Sequence, residues 1–417
     1  MGIAGSADPN DGHHSDRREP FKGGIFMFKK RILSLVIIIS IIVGTFGMVS
    51  FVTANPSQET PQMPDRLINA RSGILIEASS GVVLHEFNSH DPMPIASVTK
   101  VMTMLLVMEA IADEKIALED MVTVSAHAAG MGGSQIYLEI GEQMSVDDLL
   151  KAVAVSSGND AAVALAEHIS GSEEAFADLM NERARQLGAE NSNFDNASGL
   201  EEENNYSTAY DIALISRELL NHPKIFEYTT IWMDSLRGGE FGLSNTNRLI
   251  RFYDGATGLK TGSTSFARYC LSATALRDDM HLIAIVLGAP TTNDRFNSAT
   301  RLLDHGFANY AVVNESVIEE PFPLIEITGG VEEEIEVGFF NGLNFVVPRG
   351  KQNRIEVEIQ LPELIRAPIR AGQKVGEAIF TADGEELYRA DIHAMSDVRR
   401  INTWQMYMRM LGVWLKG

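Results

Sequence analysis

Residues 32–52 form an almost unbroken apolar run, Ile32–Val52, too hydrophobic to lie on the surface of a globular domain. It follows Lys29-Lys30-Arg31 and leads into Val52-Thr53-Ala54 ahead of Asn55-Pro56. A basic entry, an apolar centre and a small-residue site of the A-x-A kind are the parts of a secretory signal. The expected cut lies after Ala54, so residues 27–54 read as a signal peptide. At about 21 residues the run is also long enough to span a bilayer, which makes an uncleaved anchor the competing reading. Either way the basic flank stays inside and the body is exported. Met27-Phe28-Lys29-Lys30 looks like a natural start, so residues 1–26 are expected to be an upstream over-read of the frame.

The exported body has no disulfide scaffold, because the 417 residues contain one cysteine, Cys270. With 45% hydrophobic residues it can bury a sizeable core without one. Asp+Glu 56 against Lys+Arg 34 leaves a net charge of −22, which repels nucleic-acid phosphate and argues against a DNA or RNA role. The ten His show no HExxH or paired ligand spacing, so no metal is implied.

After a polar, Pro-rich linker at 55–70, Gly73–Phe87 reads as a hairpin turning at Ser79-Ser80-Gly81. Helical patterns follow from about Ser97 to Ala112, from Ser145, from near Asp160, from Ser172 to a stop at Gly188, and from near Ser207. Strand-like runs return at Tyr269–Ala275 and Leu282–Leu287, with a helix near Asn297–Gly306. Beyond a shift in composition at Val313–Glu320, short runs at Val331–Val337, Asn344–Val347, Arg354–Leu361 and Glu377–Phe380 read as a small all-β domain. The last segment, from Ser396, is amphipathic: Ile401, Trp404, Met408, Leu411 and Leu415 share a stripe that Tyr407, Met410, Val413 and Trp414 broaden. Asn402, Gln405, Arg409 and Lys416 share the polar sector. Such a helix suits a membrane interface; the plainer alternative is a terminal helix packed on its own domain or a partner.

Three short motifs carry chemistry. Ser97-Val98-Thr99-Lys100 opens the first long helix, Ser157-Gly158-Asn159 sits at the turn before the helix at Asp160, and Lys260-Thr261-Gly262 precedes a strand. Positions i and i+3 of a helix face the same way, so the Lys100 amine can reach the Ser97 hydroxyl. A serine attacks only when a base takes its proton, and a lysine serves as that base only when its pKa falls towards neutrality. Burial and a second cation both lower it, and Lys260 is the candidate cation. Ser157 is placed to relay a proton to the leaving amine, and Asn159 to hold the substrate amide and Lys100. Lys260 and Thr261 suit a carboxylate, and the backbone N–H groups of Ser97 and Ser263 suit an oxyanion hole. Each motif alone is weak, since SxxK arises by chance roughly once per few hundred residues. The ordered set, each at an element boundary of an exported chain, is specific.

That set resembles the penicillin-binding proteins and serine β-lactamases. The stretches PIASVTKVMT, SSGNDAAVALAEHI, YSTAYDIALISREL, GLKTGST and LIAIVLGAPT resemble the low-molecular-mass D-alanyl-D-alanine carboxypeptidases of peptidase family S11, over roughly residues 65–417. The resemblance implies an α/β (α+β) fold. A transpeptidase-like domain with an antiparallel sheet and a helical subdomain is expected at 71–312, a β-rich domain at 313–392 and an anchor helix at 393–417. It makes Ser97 the acyl-ester nucleophile, Lys100 the general base, Ser157 and Asn159 the second motif and Lys260 the substrate-binding lysine. Arg295 sits where the family has an arginine for the terminal carboxylate. Implied partners are peptidoglycan stem peptides, β-lactams and a membrane surface; no cofactor is implied.

Two departures stand out. The family usually follows KTGST with an acidic residue and Ala-Gly, whereas this chain has Ser265-Phe266-Ala267-Arg268, and a His before the Tyr-Ser-Thr-Ala run is replaced by Asn205. The rival enzyme, a class A β-lactamase, needs an ExxLN glutamate between the second and third motifs. The only Leu-Asn pair there is Leu220-Asn221, with Arg217 at the glutamate's place. The rival of another class, a non-catalytic peptidoglycan-binding protein, has no need of Ser97 and Lys100 together. Cys270 reads as a buried small apolar residue, and the Glu201–Glu203 and Glu332–Glu334 runs as solvated loops.

Overall fold

The structure, a computed structural model, describes residues 67–200, 204–318, 320–340 and 342–416. The signal segment, most of the linker and the Glu201–Glu203 run lie outside the described residues.

A five-stranded antiparallel sheet organises the first part. Its strands are β1 (Ser72–Glu77), β2 (Val83–Phe87), β3 (Ala256–Thr264), β4 (Arg268–Arg277) and β5 (Met280–Ala289), in the order β2-β1-β5-β4-β3. Strand β3 is therefore an edge. The inner strands read as continuous apolar runs because both faces are covered. Ile74, Ile76, Ile283 and Ile285 face a large helical core, while Leu75, Leu282, Ala284 and Val286 face a second one.

The helical core holds α1 (Lys100–Ala112), α2 (Val146–Val155), α3 (Asn159–Ser170), α4 (Glu173–Gln186) and α5 (Ala209–Leu220). Helix α1 is buried nearly all round, from Lys100 to Met108, which is why VMTMLLVMEA shows no polar stripe. A 3₁₀ turn, Ala96–Thr99, leads into it, so the helix expected from Ser97 begins three residues later. Side-chain caps set the other starts: Ser145 accepts from Asp148 N, Ser172 from Ala175 N and Thr208 from Asp211 N. On the sheet's other face lies α6 (Thr292–Asn309), longer than the expected 297–306, capped by Thr291 and packed through Ala299, Leu302, Leu303 and Phe307.

Between α6 and the last helix the regular structure is mainly strand. Tyr310–Asn314 pairs with Asn344–Pro348, and Glu356–Gln360, Lys374–Ala382 and Glu385–Ala394 form the body of a four-stranded sheet. Their core stacks Phe345 on Tyr388, centroids 4.5 Å apart, with Phe380 and Ile392. The expected strand over Val331–Val337 is reduced to Glu334–Ile335, with Val337–Gly338 beside it, because residues 331–333 make a turn. Glu385–Ala394 escapes a sequence reading because four charged residues interrupt it and only Ala390, Ile392 and Ala394 are buried. The last helix, α7 (Thr403–Lys416), places Arg409 on the strand domain, donating to the carbonyls of Gly330 and Val331. No helix among the described residues is long and apolar enough to cross a membrane.

Candidate active site

The site forms where the Ala96–Thr99 turn meets the edge of the sheet. Ala96 holds φ +50°, a strained conformation for a residue with a side chain, and Ser97 follows it half-buried at the groove. Lys100, one turn on, is fully buried. Its Nζ lies 3.1 Å from Ser97 Oγ, 2.6 Å from Asn159 Oδ1 and 2.5 Å from Ser198 O. Two of these partners can only accept. A neutral amine satisfies them with its two N–H groups and turns its lone pair to the serine hydroxyl. The environment favours that neutral form. Burial pushes the Lys100 amine far below the ordinary lysine range and the Lys260 charge pushes the same way, while Asp160 and Glu173 pull back.

The second motif is set by a helix junction. After α2 the chain turns through Ser157, buried and at φ +68°, and Gly158 to start α3 at Asn159. Asn159 accepts from Lys100 and donates Nδ2–H to Gly132 O at 2.7 Å, while its backbone N–H donates to Ser134 O. Among the described residues the amine of Lys100 has no hydrogen bond to Ser157. Asp160, buried, accepts from the N–H groups of Ile136 and Leu138 and fixes the 132–138 loop over the motif.

The third motif lies on edge strand β3. Lys260 is fully buried, donates to Thr261 O at 2.9 Å, and is pushed down to about 7 by burial, with Arg295 adding to the effect. Thr261 donates to Thr246 Oγ1 at 2.6 Å, tying the strand to the 245–247 loop. Gly262 is required by close approach: a Cβ there would stand 2.7 Å from Ile95 O and 2.9 Å from Ser97 N. Ser263, next along the edge, is exposed. Arg295, on α6, is buried, donates Nη1–H to the carbonyls of Gly262 (3.2 Å) and Cys270 (3.3 Å), and is lowered to about 10 by burial. Its guanidinium lies 4.6 Å from the Phe296 ring centroid, with Nε lacking a hydrogen-bond partner. Cys270 is buried, its thiol pushed up to about 11. No group of three or more potential metal ligands occurs among the described residues.

Sequence reasoning missed a supporting layer. Asn196 Oδ1 accepts from the N–H groups of Ser198 and Gly199, an Asx turn whose only sequence signal is Asn196 three residues before Gly199. Gly199, at φ +72°, packs against Ala96 O and leaves no space for a side chain. Glu173 Oε1 accepts from Ala197 N at 3.0 Å and its Oε2 lies 2.7 Å from His127 Nε2, so a buried carboxylate holds the loop that supplies Ser198 O to Lys100.

The profile of D-alanyl-D-alanine carboxypeptidase, peptidase S11, matches residues 57–291, and that of the penicillin-binding protein 5 C-terminal domain matches 319–400. The chain belongs to the S11 D-alanyl-D-alanine carboxypeptidases. The carboxypeptidase DacF of Bacillus subtilis is 40% identical over 391 residues, covering 93% of this chain and 99% of the relative. Penicillin-binding protein 5 of Haemophilus influenzae superposes with a TM-score of 0.73 at 32% identity, over 80% of this chain and 98% of that one. Penicillin-binding protein D2 of Listeria monocytogenes, solved in its ampicillin-bound form, superposes at 0.54 and 32% identity, over 58% of this chain and 100% of that one.

The chain is thus a serine-type carboxypeptidase with a β-lactamase/transpeptidase-like fold and a β-rich second domain. Its two departures from the S11 pattern both fall at the site. Asn205, buried, donates to Thr99 Oγ1 at 3.3 Å and its Oδ1 has no protein partner. Arg268, in the usual place of a glycine, opens β4 at φ +57°.

Proposed function

We propose that this carboxypeptidase removes the terminal D-alanine of peptidoglycan stem peptides through an acyl-enzyme on Ser97, outside the cytoplasmic membrane. The fully buried Lys100 amine at 3.1 Å from the Ser97 hydroxyl carries the reading. Ser97 Oγ attacks the penultimate D-Ala carbonyl as its proton passes to Lys100 Nζ. The N–H groups of Ser97 and Ser263 hold the oxyanion. Collapse breaks the C–N bond, and D-Ala leaves with a proton delivered from Lys100 by way of Ser157. Water, giving a proton to Lys100, then attacks the ester, and Lys100 returns that proton to Ser97 Oγ as the C–O bond breaks, leaving the stem one residue shorter. Asn159 holds the substrate amide, and Lys260 and Thr261 receive the terminal carboxylate. Arg295 supports that end through field and backbone, since its Nη1 already serves Gly262 O and Cys270 O.

β-Lactams mimic the acyl-D-Ala-D-Ala unit and acylate the same serine. Residues 27–54 direct export. Residues 71–312 carry the reaction, 313–392 act as a stalk and 393–417 attach it to the membrane surface. Supporting the attachment, Trp404, Tyr407, Met408, Met410 and Trp414 are all exposed on α7 while Arg409 is turned inward. The test is intact mass after exposing the full chain, in mild detergent, to benzylpenicillin. The wild type should gain one penicilloyl group that decays over minutes or longer, and Ser97→Ala should gain none and release no D-Ala. Turnover by Ser97→Ala near the wild-type rate would sink the nucleophile assignment; rapid drug loss without adduct would point to a β-lactamase.

A further inference from the structure

The turn that closes β3 onto β4 sits at one end of the reaction groove and carries a cation the chemistry does not use. Thr264 pairs with Arg268, Ser263 with Tyr269 and Gly262 with Cys270. Arg268 adopts φ +57°, a left-handed conformation that glycine takes freely and that a side chain disfavours. Among the described residues no contact explains an arginine there. Its side chain is exposed, and its guanidinium has no hydrogen-bond, ion-pair or ring partner among the described residues, in a chain with 56 acidic residues. Phe266, 71% exposed, stands on the same turn.

The order of groups along β3 says which part of a substrate meets this turn. The strand touches the Ser97 turn at Gly262, so the scissile carbonyl lies over Gly262–Ser263. Lys260 and Thr261, on one side of that point, take the terminal carboxylate. The rest of the stem must leave in the opposite direction, past Thr264. At about 3.3 Å per residue, the Thr264–Arg268 pair stands about 7 Å beyond Gly262, within the span of an arginine side chain and of the residue preceding D-Ala-D-Ala.

We propose that Arg268 is a specificity-determining residue that recognises an ionised carboxylate on the donor side of the stem peptide, carried by the side chain of the third stem residue. The proposal rests on the reading of Ser97 and Lys260 given above. The same chemistry could be offered by the free α-carboxylate of a γ-linked glutamate at the second position, and the test separates the two. Three synthetic pentapeptides serve, L-Ala-γ-D-Glu-X-D-Ala-D-Ala with X meso-diaminopimelate: one with both carboxylates free, one amidated on the diaminopimelate side chain, one amidated on the glutamate.

The wild type should show kcat/KM about tenfold higher for the free peptide than for the side-chain amide, a preference that shrinks in high salt. Arg268→Gly, which relaxes the left-handed position and therefore folds, should bring the two within twofold, and Arg268→Lys should keep most of the preference. A preference that instead follows the glutamate amide, and is lost in Arg268→Gly, upholds carboxylate recognition and moves it to the second residue. Equal ratios in wild type and Arg268→Gly overturn the proposal alone. Release of D-Ala from none of the three by the wild type overturns the site assignment beneath it.

Discussion

Charged residues are used in opposite ways in the two domains. Around the site Lys100, Lys260 and Arg295 are buried with backbone carbonyls, a hydroxyl and an amide for partners, and no carboxylate touches them. In the strand domain Arg389 pairs with Glu377 and Glu386, Lys374 with Glu377 and Asp391, and Lys351 with Glu385, on the surface. Buried amines without counter-ions are held at a cost and have lowered proton affinities, whereas the surface partners favour each other's charged forms and, screened by solvent, contribute little. The contrast separates the part that reacts from the part that supports.

Four perturbations probe it, the largest first. Gly262→Ala puts a methyl group 2.7–2.9 Å from the backbone of Ile95, Ser97 and Val98. The strand must retreat from the nucleophile, and D-Ala release should fall by roughly 100-fold, because misplacement of about 1 Å costs about that much. A loss below threefold would show that the junction is not held by contact. The next concerns the strand domain's far end. Replacing exposed Trp404 and Trp414 together by Ser should weaken binding to anionic phospholipid vesicles about tenfold or more, with turnover of a soluble peptide untouched. Unchanged sedimentation with vesicles would leave α7 as a helix for a protein partner.

The smallest effect is in stability. Lys260 in the folded protein titrates near 7 against 10.5 for an ordinary lysine, so between those values the unfolded chain binds a proton that the folded one does not. Stability from this group therefore rises with pH across that window, and its cost is greatest at or below pH 7. Lys260→Met should gain roughly 2 kcal/mol near pH 7, a gain that shrinks towards pH 10. Denaturant unfolding at several pH values measures it, and a pH-independent difference would contradict the buried charge. Arg389→Ala, the surface counterpart, should leave the unfolding midpoint unchanged between pH 7 and 10, where its carboxylate partners stay ionised.

What was legible in the sequence was whatever local spacing dictates. Ser97 and Lys100 lie three residues apart on one turn and Ser145 and Ser172 cap their helices, whereas Lys260-Thr261-Gly262, read as preceding a strand, lies inside β3. The lowering of the Lys100 proton affinity by Lys260 was also foreseeable, since burial and a like charge act in one direction. The supporting layer was not. Glu173, Asp160 and Ser198 look like a helix-start acid, a cap and a loop serine, and only the fold brings 98 residues of separation to one hydrogen bond between Lys100 and Ser198 O. Arg295 shows the limit of motif reading. The sequence offered it for the terminal carboxylate, while its bonds to the carbonyls of Gly262 and Cys270 come from the packing of α6 on the sheet.

Local spacing alone brings the Lys100 amine to 3.1 Å from the Ser97 hydroxyl, because positions three apart share one face of a helical turn. Long-range packing sets the surroundings of that pair. Desolvation, the approach of Gly262 to Ser97, and the left-handed Arg268 at the groove's end depend on surfaces that meet from distant parts of the chain, and no local pattern encodes which surfaces will meet.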